Sequence, residues 1–397
     1  MGCKNSKNKN NKKVKSEKIE PVKRSTKIIK TIVSDKQISG VGHVKYKSQN
    51  YIVVAYVSEI IELYDTTKYD LVGKYNKEIY SNKNIYTIKQ FSNQKFLVSG
   101  SKLVSIFAFY ENNDTFSQNK IPNFNIELIQ TIDNPVKSFF IYFVSSFVFD
   151  KNLNKEFYKN EEYKEIISHD QLLIANSSQG IFIYTRNIDK EESNSNNNEE
   201  IEINKNNIDN YKEKWKKNPF IYKKTLSNIY NYDIIQVNFK LIAGAIDNYV
   251  ALYSIEPSEI ITKFQVKTTK DYFKTMSMLT YDILCIGGLD TVSLISIKNF
   301  DIIFEFLLNP NYIVAEICIL PDNNIMIGIG NKIDDVNQEM LLWYKYNSTE
   351  KKELNFLLMS SELLTKNISN LTMEGIGEKK LITIIENKKI QIRELSE

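Results

Sequence analysis

One pattern of apolar and polar positions recurs along most of the chain. An apolar run leads into small residues and a polar turn, and a second strand with alternating apolar positions then ends in an aromatic or polar residue. Alternation with a period of two residues is typical of β-strands. The clearest copies span residues 51–65, 96–109, 172–184, 241–253, 283–296, 325–344 and 381–393. We therefore expect an all-β protein built from seven copies of one unit.

The spacing of the copies predicts four strands per unit. Three pairs of neighbouring copies start 42–45 residues apart, which suits four short strands with their turns. In the fourth unit, residues 229–236 precede the clear hairpin and residues 260–266 follow it. Four-stranded units repeated around an axis form a β-propeller, and we expect seven blades, with eight as the alternative count. Regular helices are not expected, and only residues 360–365 have a helical character.

The two ends of the chain are expected to close the ring together. The seventh unit stops at residues 393–397, after its third strand, and Thr26–Val33 is an alternating segment without a partner of its own. Pairing this segment with the last blade would supply the fourth strand and remove a free sheet edge. The predicted organisation is a flexible tail over residues 1–25 and a propeller over 26–397, with loop insertions at 150–165 and 187–217.

The repeat resembles that of WD40-repeat proteins. Small residues follow the second strand at Ser99-Gly100, Ala243-Gly244 and Gly287-Gly288, and the turns carry Asp247 and Asp290. Strand-end residues add to the resemblance, with Tyr64-Asp65 standing where that family has Trp-Asp, and with Tyr184, Tyr253 and Trp343. No Trp-Asp dipeptide occurs, so the copies are degenerate and the period carries the resemblance. It implies a seven-bladed WD40-like ring that acts as a platform for protein binding, without catalytic activity of its own.

Charge is distributed unevenly along the chain. The net charge is +4, but residues 1–30 carry +9 and the remainder −5. The basic character therefore belongs to the tail. No aromatic residues interleave with its lysines, which argues against a nucleic-acid-binding arm.

The tail has the pattern of a lipid anchor. Gly2 and Ser6 match the N-myristoylation pattern, and Cys3 is the candidate for S-palmitoylation. One myristoyl chain binds a membrane only marginally, so a second chain or a basic patch is needed for a stable anchor. The candidate electrostatic contacts to an anionic membrane are Lys4, Lys7, Lys9, Lys12, Lys13 and Lys15. We expect the protein at the cytoplasmic side of a membrane, with the plasma and ciliary membranes both compatible, and otherwise in the cytoplasm.

Catalytic and metal-binding patterns are scarce. The two histidines, His43 and His169, are far apart, and neither lies near a cysteine pair, so no zinc site is expected. Cys285 and Cys318 lie in apolar runs and are expected to be buried. His43 falls in the first strand of the first unit, where a packed or hydrogen-bonded role is expected. No cofactor and no small-molecule substrate are expected.

Three hypotheses follow from these observations. The first is a non-catalytic scaffold that binds other proteins through its ring faces and is tethered to a membrane by its acylated tail. The alternative is a soluble WD40-type subunit of a larger complex, ciliary or cytoskeletal in kind, without lipid modification. The third is a hydrolase with a carboxylate in the central channel, for which no paired carboxylates stand out.

Overall fold

The structure is a computed structural model. Most of its described residues lie in β-strands. It describes residues 26–57, 60–77, 85–112, 123–133, 143–150, 171–187, 202–238, 241–247, 249–255, 259–265, 273–280, 282–308, 312–321, 324–333, 336–348, 354–366, 373–376, 379–385 and 388–395. The elements in these ranges are β1 (Thr26–Val33), β2 (Ile38–Tyr46), β3 (Gln49–Tyr56), β4 (Ile61–Asp65), β5 (Leu71–Tyr75), β6 (Ile85–Ser92), β7 (Lys95–Gly100), β8 (Leu103–Glu111), β9 (Phe124–Asp133), β10 (Phe143–Asp150), β11 (Gln171–Ser177), β12 (Gly180–Arg186), α1 (Ile208–Lys217), β13 (Ile221–Ser227), β14 (Asp233–Gln236), β15 (Leu241–Ile246), β16 (Tyr249–Ser254), β17 (Glu259–Gln265), β18 (Phe273–Thr280), β19 (Ile283–Gly288), β20 (Thr291–Ser296), β21 (Asp301–Leu307), β22 (Tyr312–Leu320), β23 (Asn324–Ile333), β24 (Val336–Ser348), β25 (Leu354–Lys366), β26 (Met373–Ile376), β27 (Lys380–Ile385) and β28 (Lys389–Leu395).

The described strands form seven four-stranded antiparallel blades. Blade 1 is β2–β5, and each following set of four strands forms the next blade up to β22–β25; blade 7 is β26–β28 with β1. Blades 1 and 2 are joined at their outer strands by one parallel pairing, Gly73 with Phe124. Each innermost strand contacts the next around the ring, and β26 contacts β2. The predicted seven-bladed propeller is confirmed, and the eight-bladed alternative is wrong.

The core lies between the blades. The described residues form seven clusters of buried apolar side chains, and each cluster joins two neighbouring blades. On β3, for example, Tyr51 and Val53 face blade 2, whereas Ile52 and Val54 face blade 7. Because both faces of a blade are covered, its central strands are apolar almost throughout. This explains the apolar runs that begin each copy of the repeat.

Small residues of the repeat stand where neighbouring elements approach closely. A Cβ atom on Gly287 would lie 2.3 Å from Cγ1 of Val314 in the next blade, and one on Gly244 would lie 2.2 Å from Oδ1 of Asn231. The turn residues Asp247 and Asp290 have φ angles of +39° and +53°, a conformation that Asp tolerates better than most residues.

The dipeptide Tyr64-Asp65 organises a turn. Asp65 is buried, and its carboxylate accepts hydrogen bonds from the backbone N–H groups of Thr67, Lys68 and Asp70 at 2.7–2.8 Å. Burial acts to raise the pKa of Asp65, but a hydrogen bond from the Thr67 hydroxyl group and these backbone hydrogen bonds outweigh burial and lower it. The residue that stands in the Trp-Asp position therefore shapes the turn between β4 and β5.

The ring closes through its two ends, as predicted. β1 pairs antiparallel with β28, from Thr26 opposite Leu395 to Val33 opposite Lys389. The Arg393 guanidinium is buried and binds the Glu362 carboxylate of blade 6 at 2.6 Å. Thr26 accepts a hydrogen bond from Arg393 at 3.0 Å and donates one to Glu362 at 2.7 Å. This seam cluster (Thr26, Glu362 and Arg393) fastens β1 to two blades.

Two expectations about local structure need correction. Residues 187–217 were expected to be a loop, but α1 occupies 208–217 and buries Ile208, Tyr211 and Trp215, because residues at this spacing share one helix face. Residues 360–365 lie in β25 rather than in a helix, because pairing with β24 outweighs their local propensity. No described helix is long and apolar enough to span a bilayer.

The direction of the strands defines two faces. Since all blades have the same strand order, their outermost strands begin on one face, here called the lower face, and end on the upper face. The outermost strands are β1, β5, β9, β13, β17, β21 and β25. The tail therefore joins the ring at the lower face, at Thr26.

Candidate functional site

The innermost strands bring charged side chains from several blades towards the axis. The channel cluster consists of His43 on β2, Lys89 on β6, Asp233 on β14, Glu316 on β22 and Glu374 on β26. These strands come from blades 1, 2, 4, 6 and 7. The cluster is thus created by ring closure and not by any single repeat.

Glu374 is the centre of this channel cluster. Its Oε1 lies 2.7 Å from Nδ1 of His43, and its Oε2 lies 3.7 Å from Nζ of Lys89. The Lys89 side chain is 52% exposed although it reaches across to blade 7, whereas Glu374 is 19% exposed. The channel is therefore open to water at Lys89 and more enclosed at Glu374.

The two charges stabilise each other. Burial acts to raise the pKa of Glu374, but Lys89 and the hydrogen bond from His43 outweigh it, so the pKa is lowered. Glu374 in turn raises the pKa of Lys89, with a smaller contribution from Glu316. Both groups are charged at neutral pH.

Asp233 differs from the other carboxylates of the channel cluster. Burial raises its pKa to about 7, although the backbone N–H groups of Met276 and Ile234 donate to its carboxylate and Lys89 acts in the same lowering direction. Glu374 and Lys89 therefore form an oppositely charged pair, and Asp233 adds a negative charge that titrates near neutrality.

Chemical reactivity is weak in this region. Burial raises the pKa of the Cys318 thiol far above its ordinary value and that of Cys285 to about 12, so both are protonated. His43 has a carboxylate partner in Glu374, the arrangement of an oriented base. Within the described ranges, no three His, Cys, Asp or Glu side chains are grouped to hold a metal ion.

A second candidate region lies on the upper face, where blade 5 connects to blade 6. Leu307 is 74% exposed and Ile313 is 40% exposed. The backbone of Asp290 accepts a hydrogen bond from Leu308 at 2.6 Å and donates one to Tyr312 at 2.8 Å, and Leu289 forms a β-bridge with Ile313. The two exposed apolar side chains are therefore held on a fixed backbone.

The connection from blade 3 to blade 4 repeats this arrangement. Ile229 is exposed, and the rings of Tyr230 and Tyr232 meet edge to face at 5.0 Å. Tyr232 donates a backbone hydrogen bond to Ala245 at 2.9 Å, and its hydroxyl group donates to Asp247 at 3.3 Å. Leu307 and Ile313 form what we call the upper apolar site, and Ile229, Tyr230 and Tyr232 lie on the same face at a separate connection.

Some residues selected from the sequence lie outside the described residues. They are Gly2, Cys3, Lys4, Lys7, Lys9, Lys12, Lys13 and Lys15, together with His169 and the insertion residues 151–165. His43 lies in β2, as predicted, and is hydrogen bonded to Glu374.

Sequence reasoning did not select Lys89, Asp233, Glu316 or Glu374. The sequence signal for these four residues is the presence of a charged residue in the first strand of a unit.

Comparisons with known proteins identify the fold. No family model and no curated protein matches the sequence. Among solved structures, 1094 chains match, so the fold is widespread and does not by itself select a function. One match is a chain from the crystal structure of the mitotic checkpoint complex, a WD40 propeller. It is 11% identical, with a TM-score of 0.56 over 97% of this chain and 98% of that chain. The present chain has an all-β propeller fold similar to that of WD40 proteins.

Proposed function

We propose that this protein is a non-catalytic scaffold whose upper face binds another protein and whose acylated, basic N-terminus tethers the ring to the cytoplasmic face of a membrane. The observation that carries the proposal is the upper apolar site, where Leu307 and Ile313 are exposed on hydrogen-bonded backbone. Rigid apolar side chains lose little entropy on binding and are therefore suited to an interface. One solved structure that this ring resembles is that of a complex, which supports a role in assembly.

The protein-binding part is tested by two charge substitutions. In cells, Leu307→Asp with Ile313→Asp should remove proteins that co-purify with the wild-type chain, because buried unpaired carboxylates oppose an apolar interface. Ile303→Asp, at a comparably exposed position on β21, is the matched control and should retain them. Identical sets of co-purifying proteins from all three chains would contradict the proposal.

The tether is tested separately by metabolic labelling with a myristate analogue. Wild-type protein should incorporate the label and fractionate with membranes, and Gly2→Ala should lose the label and reduce the membrane fraction. Cys3→Ser should keep the label and weaken membrane attachment, which would then depend on one acyl chain and the basic residues of the tail. Absence of label from the wild type would favour the soluble complex subunit instead.

A further inference from the structure

Exposed apolar residues are concentrated at the lower edge of the ring. Thirteen large apolar side chains are exposed among the described residues. Eight of them lie in the first three residues of an outermost strand or in the turn before one. These are Ile28, Leu71, Ile221, Tyr222, Ile260, Ile261, Phe300 and Ile303.

Among the described residues, the most basic stretch of this edge lies on blade 3. Residues 216–224 read Lys-Lys-Asn-Pro-Phe-Ile-Tyr-Lys-Lys and contain four lysines and no acidic residue. Ile221 is 61% exposed and Tyr222 is 44% exposed, and the lysines flank them on both sides. We call Lys216, Lys217, Ile221, Tyr222, Lys223 and Lys224 the lower basic patch.

The lower basic patch is mounted rigidly on the blades. Between its two halves, Phe220 is buried and packs edge to face on Trp215 at 6.0 Å. The side-chain amide of Gln130 donates to the carbonyl of Phe220 and accepts from its N–H group, both at 3.1 Å. Arg186 donates to the carbonyl of Asn218 at 2.8 Å. The connection between α1 and β13 is therefore preorganised.

We infer that the lower basic patch binds the anionic phospholipid surface of a membrane, as a contact separate from the tail. Exposed Ile and Tyr side chains enter the boundary between headgroups and acyl chains, and flanking lysines attract anionic headgroups. The tail joins the ring on this same lower face, at Thr26. This inference rests on the proposed tether only for the choice of face. With the lower face on the membrane, the upper apolar site is directed away from the membrane.

The test uses the full chain without its acylation site and without the first six lysines of its tail, so that binding reports mainly on the ring. This tail-neutral chain carries Gly2→Ala and Gln at Lys4, Lys7, Lys9, Lys12, Lys13 and Lys15. Its partitioning is measured by co-sedimentation with vesicles of phosphatidylcholine, alone or with about a third phosphatidylserine. It should bind only the anionic vesicles, and binding should fall as salt rises.

Changing the four lysines of the lower basic patch to Gln should reduce this binding at least about tenfold. The matched control changes Lys36, Lys102, Lys388 and Lys389, which lie on the upper face, and should bind as the tail-neutral chain does. Ile221→Ser should weaken binding severalfold, whereas Leu307→Ser should not. The substitutions in the ring change exposed or half-exposed residues, and equal melting temperatures would verify the folding of the variants.

Equal binding by the patch variant and the tail-neutral chain would overturn the inference, as would equal losses in the patch and control variants. If the patch variant binds vesicles normally but loses a protein cross-linked through position 221 in cells, the patch is a protein contact and the lipid assignment is wrong. Because Gly2 is absent from these chains, none of these outcomes depends on whether the tail is acylated.

Discussion

Asp233 is the residue whose charge the fold opposes most clearly. Its carboxylate accepts two backbone hydrogen bonds, yet burial raises its pKa to about 7, well above the value of about 3.9 for an unfolded chain. The folded protein therefore binds this proton more tightly than the unfolded chain does. Its contribution to stability is fully present below pH 4 and is lost as the pH rises through 7.

Substituting Asp233→Asn should flatten this dependence. The melting temperature of the wild-type protein should fall between pH 5 and pH 8. That of the variant should fall less, because Asn cannot ionise. The variant also lacks one acceptor for the Met276 N–H group, a cost that is the same at every pH. The readout is therefore the slope of melting temperature against pH.

Asp209→Asn is the control for Asp233. This residue is exposed in the first turn of α1, and its substitution should leave the slope unchanged. Parallel pH profiles for wild type and Asp233→Asn would show that Asp233 does not titrate in this range.

At the scale of elements, the segment 202–220 is held against blades 2 and 3 by polar side chains at both ends. Gln94 exchanges two hydrogen bonds with the backbone of Ile203, at 2.6 and 2.7 Å, and Gln130 does the same with Phe220. Between these ends Trp215 is buried, and the Arg186 guanidinium stacks on its ring at 3.9 Å. The helix is therefore an integral part of the core between two blades.

Trp215→Ala should release this segment locally. Loss of a buried Trp costs about 3–5 kcal/mol, so hydrogen exchange within residues 202–220 should rise about a hundredfold or more while the strands of blades 5 and 6 keep their protection. Lys216→Ala, exposed on the same helix, should leave exchange unaltered. A uniform rise in hydrogen exchange throughout the ring would contradict this prediction, because it would mean that the segment opens only together with the whole ring.

The sequence predicts strands better than it predicts this helix. Strands recur seven times in one pattern, and each copy supports the assignment of the others. Within the described part of the chain the helix occurs once, in a polar insertion, and only the spacing of Ile208, Tyr211 and Trp215 indicates it. Such a short helix is marginal alone, and its stability comes from packing against blades that the local sequence does not contain.

At the scale of the whole molecule, the ring depends on one strand supplied from the other end of the chain. β1 completes blade 7, and the seam cluster ties it to blade 6 through Glu362. Without β1, the edge of β28 would be open and the Arg393 side chain would lose Thr26. Closure is therefore a property of the complete ring.

Two truncations should separate the tail from the ring. Deleting residues 1–20 should leave the melting temperature unchanged, whereas deleting 1–34 should lower it by about 5 °C or more. Thr26→Val should reproduce part of the loss, because it leaves Arg393 and Glu362 each short of a partner. Thr31→Val, at an exposed position of β1, is its control. Equal melting temperatures for both truncations would contradict this role of β1.

The sequence was sufficient to predict the ring and its closure, but not the residues that face its axis. Blade number follows from repeat spacing, and β1 is recognisable as an alternating segment without a local partner. The pair formed by His43 and Glu374 joins residues 331 positions apart. The sequence around His43 does not indicate Glu374 as its partner, and the reverse also holds, because the two residues come together only when blade 7 meets blade 1.

The seam also determines how the ring responds to mechanical load. A ring tethered by its tail and pulled by a partner on its upper face is loaded at Thr26, along the axis of β1. Since β1 lies antiparallel along β28 from Thr26 to Val33, this force shears all their hydrogen bonds together and does not peel them one by one. The force would be applied at Thr26, which is hydrogen bonded to both Arg393 and Glu362. The closure of the ring would therefore best resist a force applied through the tail.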